Sequence, residues 1–313
     1  MRRFFALART AAVESLAEPL TAVLFLSGFA VVHLAPAFHY HQFGEAGRLA
    51  RECGFSALLV FGLVFATAAA MRTIGRELES GTAAAALALA VPRPLFLVAK
   101  LAGVAGSLAL FTGAIACATA LSSSSGAIAA LARDGHGSTA QVWGPALACG
   151  VGLTLGAFAL AAAANRFLRA RFCWTACLLI SAAQPLAFIL AMAMGRDLPP
   201  SFEGWTASLL RLLPAFSALA AGCIVFVSFA GALATRLAPA PVTALVAAAI
   251  VLSFVHPLRA ILPDINRFWL VDRLANGGML GWMDVLPALA AGALLSLLWL
   301  TVGSILLVRR EIS

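Results

Sequence analysis

The sequence predicts an all-α, polytopic membrane protein, and three observations carry that reading. Hydrophobic residues fill 62% of the 313 positions and charged ones only 11%, too few charges to cover the surface of a water-soluble domain. The mean hydropathy is +0.99. The apolar residues also fall into stretches of about twenty, the length a helix needs to cross the hydrocarbon core. The net charge of +8 is no nucleic-acid footprint, because the basic residues are dispersed around the apolar stretches. Their placement reports topology instead.

Residues 1–18 come first. MRRFFALARTAAVESLAE begins like a signal peptide, but Glu14 and Glu18 precede the first long apolar run, so a cleaved signal is not expected. Read as a helix, the segment sets Phe5, Ala8, Ala12 and Leu16 on one face and Arg3, Thr10 and Glu14 opposite. That pattern predicts an interfacial helix lying on the membrane surface.

Residues 19–308 form the transmembrane domain of this reading, with eight expected spans at 19–37, 54–71, 95–121, 142–164, 172–194, 212–235, 241–258 and 285–308. An even number puts both termini on one side. If that side is the cytoplasm, it collects thirteen of the 21 basic residues, among them Arg72, Arg76, Arg93, Lys100, Arg171, Arg236 and Arg309. The bias favours cytoplasmic termini, with residues 309–313 as a cytoplasmic tail.

Between the second and third spans lies the densest paired charge of the chain, RTIGRELESGTAAAALALAVPRPLFLVAK. As a helix it places Arg72, Arg76 and Glu79 on one face at i, i+4 and i+7, with Glu77 pointing elsewhere. This predicts a docking surface rather than a span. Gly81 and Thr82 interrupt it, and Pro92-Arg93-Pro94 ends it before the next apolar stretch.

Glu77, Glu79, Gly81, Thr82, Pro92, Arg93 and Lys100, spaced in this way, resemble the cytoplasmic coupling segment of ABC-2 type permeases, the membrane subunits of one class of ATP-driven exporter. A second stretch agrees: Leu262-Pro263-Asp264-Ile265-Asn266 through Phe268, Asp272 and Arg309-Arg310-Glu311 resembles the last loop and tail of the copper-enzyme-maturation, NosY-like branch. The likeness covers about 1–110 and 215–313. The resemblance implies a coupling segment at 72–94 that sits in a groove of a separate ATPase. In it, the helix with Glu77 and Glu79 is the coupling element, Arg72 and Arg76 add ion pairs or neutralise the acids, and Thr82, Pro92 and Arg93 shape the return into the membrane, while Lys100, beyond it, anchors the cytoplasmic end of the third span at the headgroups. It also implies a second permease chain, in a homo- or heterodimer, and a bacterial cytoplasmic membrane. Six spans are usual in that family, so 142–194 reads either as an inserted hairpin or as a mistaken span.

Smaller features point less far. His39 and His41 read as part of an amphipathic surface helix, since no third ligand stands at a metal-site spacing. Ser122 to Ser125, and the stretch 132–139, read as a flexible outer loop. Gly152 and Gly156 form a GxxxG step that permits a dimer seam, though glycine and alanine are abundant enough for chance to explain it. His33 and His256 read as packed, neutral histidines rather than a relay. The six cysteines contain no CxxC pair and read as apolar packing residues.

Lys100, in LVAKLAG, is the chain's sole lysine, so it has no GxxxxGK[ST] phosphate loop and any ATP is bound by a partner subunit. No catalytic, cofactor or metal residues are assigned. The spans carry almost no charge, which disfavours an ion-coupled carrier, whose ion needs a mid-membrane ligand. The leading expectation is therefore an ABC exporter permease contacting membrane lipid, a second chain and an ATPase, with an amphipathic or lipid-like cargo. An ion-coupled carrier and a non-transporting scaffold are the alternatives.

Overall fold

The computed structural model describes residues 1–37, 47–79, 92–133, 140–194, 204–252, 265–271, 274 and 280–309. The long elements are all helices: α1 (Arg2–Leu16), α2 (Pro19–Leu34), α3 (Arg48–Met71), α4 (Arg93–Arg133), α5 (Ala140–Leu168), α6 (Phe172–Met194), α7 (Trp205–Ala234), α8 (Pro239–Leu252) and α9 (Trp282–Val308). Six of them are long and apolar enough to cross a membrane, or up to seven spans if the bent pair α1 and α2 is taken as one. The expected eight is therefore not reached among the described residues. The shortfall does not fall at 142–194, where α5 and α6 form a closely packed hairpin. It falls at α2 and α8, with 16 and 14 residues, which rise only about 24 and 21 Å.

Helix α4 is the axis of the bundle, packing against α1, α3, α5, α6 and α7. A ring cluster joins three helices: Phe25 of α2 stacks on Phe111 of α4 at 4.5 Å and meets Phe65 of α3 edge-on at 5.8 Å. Phe55 packs on Phe216 at 4.6 Å to hold α3 to α7, and Phe229 on Trp299 at 4.5 Å to hold α7 to α9. Lipid tails are as apolar as these rings, so helix association rests on such close packing rather than on water exclusion. Phe268 illustrates it: a Cβ added at Gly222 of α7 would lie 2.9 Å from its ring, and one at Gly292 of α9 3.2 Å away. The two glycines open a seat that buries Phe268 between the helices.

The outer surface is apolar as well. Val60 and Val64 of α3, Leu155 and Leu160 of α5, and Leu294, Leu297 and Leu298 of α9 are exposed. Long helices with apolar outer faces make this a multi-pass membrane protein. Leu155 and Leu160 share that outward side of α5 with Gly152 and Gly156, where an added Cβ would meet nothing within 4 Å among the described residues.

Ser122 to Ser125 are no flexible loop, contrary to expectation. All four are buried within α4. Ser123 donates to the Ala120 carbonyl at 3.1 Å and Ser125 to the Leu121 carbonyl at 2.8 Å, so the helix itself absorbs those two hydroxyls. Residues 134–139 lie outside the described residues, as do His39, His41 and His256.

Candidate functional site

One end of the bundle concentrates charge, and local sequence explains how. Glu18 precedes Pro19, whose ring disfavours a helical Glu18. Glu18 accordingly adopts extended backbone, Pro19 opens α2, and the chain turns by 68°. That bend lays α1 along the first turns of α4. At Gly103 a Cβ would meet the Ala8 carbonyl oxygen at 2.2 Å, so only glycine permits this approach. The Ser15 and Ser107 hydroxyls bond at 2.9 Å across the contact, and Thr21 donates to the Ser15 carbonyl at 2.7 Å. The buried side of α1 thus runs through Ala11 and Ser15 to Leu16, whereas Phe5 is exposed. The expected apolar face is rotated, because a helix that docks on protein buries small residues where the two backbones meet.

Helix α3 continues past Met71 through a π turn, Arg72–Arg76, into Glu77–Glu79. The charged segment is therefore an extension of a span rather than a separate helix, and the wider turn resets the faces of the residues after it. Glu77 then meets Lys100: Nζ lies 2.5 Å from Glu77 Oε1 and 3.2 Å from Glu14 Oε2, with Lys100 only 1% exposed. Lys100 is thus no headgroup anchor, as the resemblance implied. It is a buried cation linking α1, α3 and α4. Arg72 and Arg76 do not serve Glu77 and Glu79 either. Arg72 pairs with Glu18, and the more exposed Arg76 approaches the same carboxylate at 3.8 Å.

The remaining expected residues separate. Glu79 is exposed near this cluster, and Pro92 is exposed at the entry to α4. Arg93 turns to the other side of the bundle, where it donates to the Val308 carbonyl at 2.7 Å and the Leu307 carbonyl at 3.3 Å. Arg236 adds a bond to the Leu306 carbonyl at 3.1 Å. Two arginines therefore cap the last turn of α9, where unpaired carbonyls and the helix dipole favour cations. Gly81 and Thr82 lie outside the described residues. These contacts bring α1 and Arg309, near the two chain ends, to the same end of the bundle.

Beside the cluster a cleft of about 510 Å³ opens, lined by the charged Glu14, Glu18, Arg72, Arg76, Glu77 and Arg171 and by the apolar Leu20, Leu24, Phe65, Ala68 and Ala69. Glu14, Glu18 and Arg171 were not singled out as site residues from sequence. A signal for the first two was present, since acids are scarce in this chain and both follow an otherwise basic helix.

A second polar group lies well inside the bundle. His33 Nε2 is 2.9 Å from Gln184 Oε1, and Gln184 Nε2 donates to Thr154 Oγ1 at 2.9 Å. Thr154 donates to the Gly150 carbonyl at 2.7 Å, and Ser122 Oγ lies 3.4 Å from His33 Nδ1. His33 is thus a packed, hydrogen-bonded histidine, as its setting in the sequence suggested. It ties α2, α4, α5 and α6 together.

Fold and site together define a helical, multi-pass membrane protein with a braced, charged end. No family model, curated protein or solved structure matches the chain.

Proposed function

We propose that this chain is the permease subunit of an ATP-driven exporter in the bacterial cytoplasmic membrane, with a separate ABC ATPase docking at its charged end. The observation that carries the reading is the brace at the base of the 72–94 segment. Glu77 is held by Lys100 and Arg72 by Glu18, so a push on the segment reaches α1, α3 and α4 together. A second support is electrostatic. Cysteines apart, His33 and Lys100 are the buried ionisable side chains among the described residues, and Lys100 is occupied by carboxylates. An exporter driven from outside the membrane needs no ion ligand within it.

In this reading the charged end faces the cytoplasm and both termini lie there. Helices α2 and α8 are short crossings, which raises the passes to eight, and a second copy or a related chain completes the pathway. Glu79 and the residues after it make the ATPase contact, while Glu77 holds the segment in place. The ion-coupled carrier remains a second reading through one observation, the His33–Gln184 network.

The test is co-purification in detergent with the ABC ATPase encoded nearest in the genome. The wild type captures the ATPase, and Glu79→Arg loses it without a change in thermal unfolding. Failure of the wild type to capture any ATPase overturns the proposal.

A further inference from the structure

We infer that the cleft between α1, α2 and α3 is a binding site for a bilayer glycerophospholipid, its phosphodiester held by Arg76 and Arg171 and an acyl chain lying against Leu20, Leu24 and Ala68. The inference is independent of the ATPase reading, since it needs only a membrane and this chain.

Charge decides the headgroup. Glu14, Glu18 and Glu77 line the cleft, while Arg72, Arg76 and Arg171 line it too and Lys100 backs it. Three carboxylates therefore face four cations, and one positive charge is left over. The geometry locates that surplus. Lys100 is spent on Glu77 and Glu14, and Arg72 on Glu18. Arg76 reaches Glu18 only at 3.8 Å, with its side chain 79% exposed. Arg171 is exposed and forms no ion pair among the described residues. A phosphodiester carries a single negative charge and accepts hydrogen bonds from guanidinium groups in the planar geometry they prefer. One such group neutralises the cleft.

Shape decides the rest. From Glu77 to Ala68 the wall follows α3 and its extension for nine residues, a rise of about 14 Å. The lining changes along it from charged to apolar: Leu20 is exposed and Ala17 and Ala68 are half-buried, while Leu24 and Phe65 close the wall behind them. A soluble anion such as free phosphate would use only the rim. A molecule with an anionic end and a long apolar body uses the whole length, and the bilayer supplies it at high local concentration.

The experiment is native mass spectrometry of the delipidated full chain in detergent, with phosphatidylglycerol, phosphatidylethanolamine and a diacylglycerol of the same tails offered separately. The expected result is retention of both phospholipids over the diacylglycerol by about tenfold or more, the scale of one to two charge-assisted hydrogen bonds. Arg76→Ala/Arg171→Ala abolishes that preference while thermal unfolding stays unchanged. Leu24→Trp, which fills the apolar end, weakens retention of long-chain phospholipid but not of its dihexanoyl analogue. Equal retention of diacylglycerol and phospholipid by the wild type, or an undiminished preference in the double variant, overturns the inference. Should the double variant prove unstable, the chain-length test with Leu24→Trp decides it alone.

Discussion

Lys100 Nζ sits 2.5 Å from Glu77 Oε1 across 23 residues of sequence, and the lysine side chain is 2% exposed. That pair, with Glu14 at 3.2 Å, joins α1, α3 and α4 at the charged end of the bundle. Removing one member leaves the other charge in a site built for two. Lys100→Met is expected to destabilise the protein by about 2–3 kcal/mol, below the value for a fully dry pair because Glu14 is partly solvated. Lys100→Met/Glu77→Gln, which removes both charges and keeps the volume, recovers most of the loss. Thermal unfolding in detergent, analysed as a double-mutant cycle, measures it; additive effects of the two single changes would show that the pair does not interact.

The seat of α1 on α4 makes a geometric prediction. Ser15 and Ser107 Oγ are 2.9 Å apart, so Ser15→Cys/Ser107→Cys has side chains close enough for a disulfide and is expected to cross-link on mild oxidation. Adding Gly103→Ala places a methyl group against the Ala8 carbonyl, a backbone atom that cannot swing aside. Cross-linking then drops severalfold, read as a gel shift. Unaltered cross-linking would mean that α1 is not held where the close approach puts it.

What the sequence disclosed follows from the range of the interactions. The extents of α6 and α9 were legible because long apolar runs bounded by charge depend on local composition: α6 covers Phe172–Met194, as expected, and α9 ends at the expected Val308. Ser122 to Ser125 were misread because four consecutive serines resemble a turn. All four are instead buried in α4, where the hydroxyls of Ser123 and Ser125 bond back to carbonyls three and four residues earlier. Lys100 was misread for the opposite reason. Its partners stand 23 and 86 positions away, and an isolated lysine beside an apolar run looks like a headgroup anchor. The charged segment could be located from sequence, but the destination of each charge depended on the bend at Glu18-Pro19 and the π turn at Arg72, which are tertiary outcomes.

The last turn of α9 tests whether two solvent-touched arginines matter. Arg93 and Arg236 together reach the carbonyls of Leu306, Leu307 and Val308. Because the sites are partly exposed, each contributes less than about 1 kcal/mol. Arg93→Gln/Arg236→Gln is therefore expected to leave global unfolding almost unchanged while hydrogen exchange at residues 305–309 quickens several-fold. Unchanged exchange there would show that the caps are idle.

The His33 network separates the two transport readings. Gln184 bonds His33 with its oxygen and Thr154 with its nitrogen, so Gln184→Leu leaves two buried polar groups without that partner and is expected to cost about 1–2 kcal/mol, the upper range for such bonds inside membrane proteins. His33→Leu/Gln184→Leu removes both ends of the 2.9 Å bond, and stability should largely return. Transport is the decisive readout. In an ATP-driven exporter His33 has only a structural task, so this double variant, once folded, should retain nucleotide-dependent transport in liposomes at close to the wild-type rate. In an ion-coupled carrier His33 is the one buried titratable group along the described spans that is not already committed to a carboxylate, cysteines aside. Its loss would then abolish gradient-driven transport while leaving the fold intact. A variant that melts like the wild type but no longer transports would move the protein from the first class to the second.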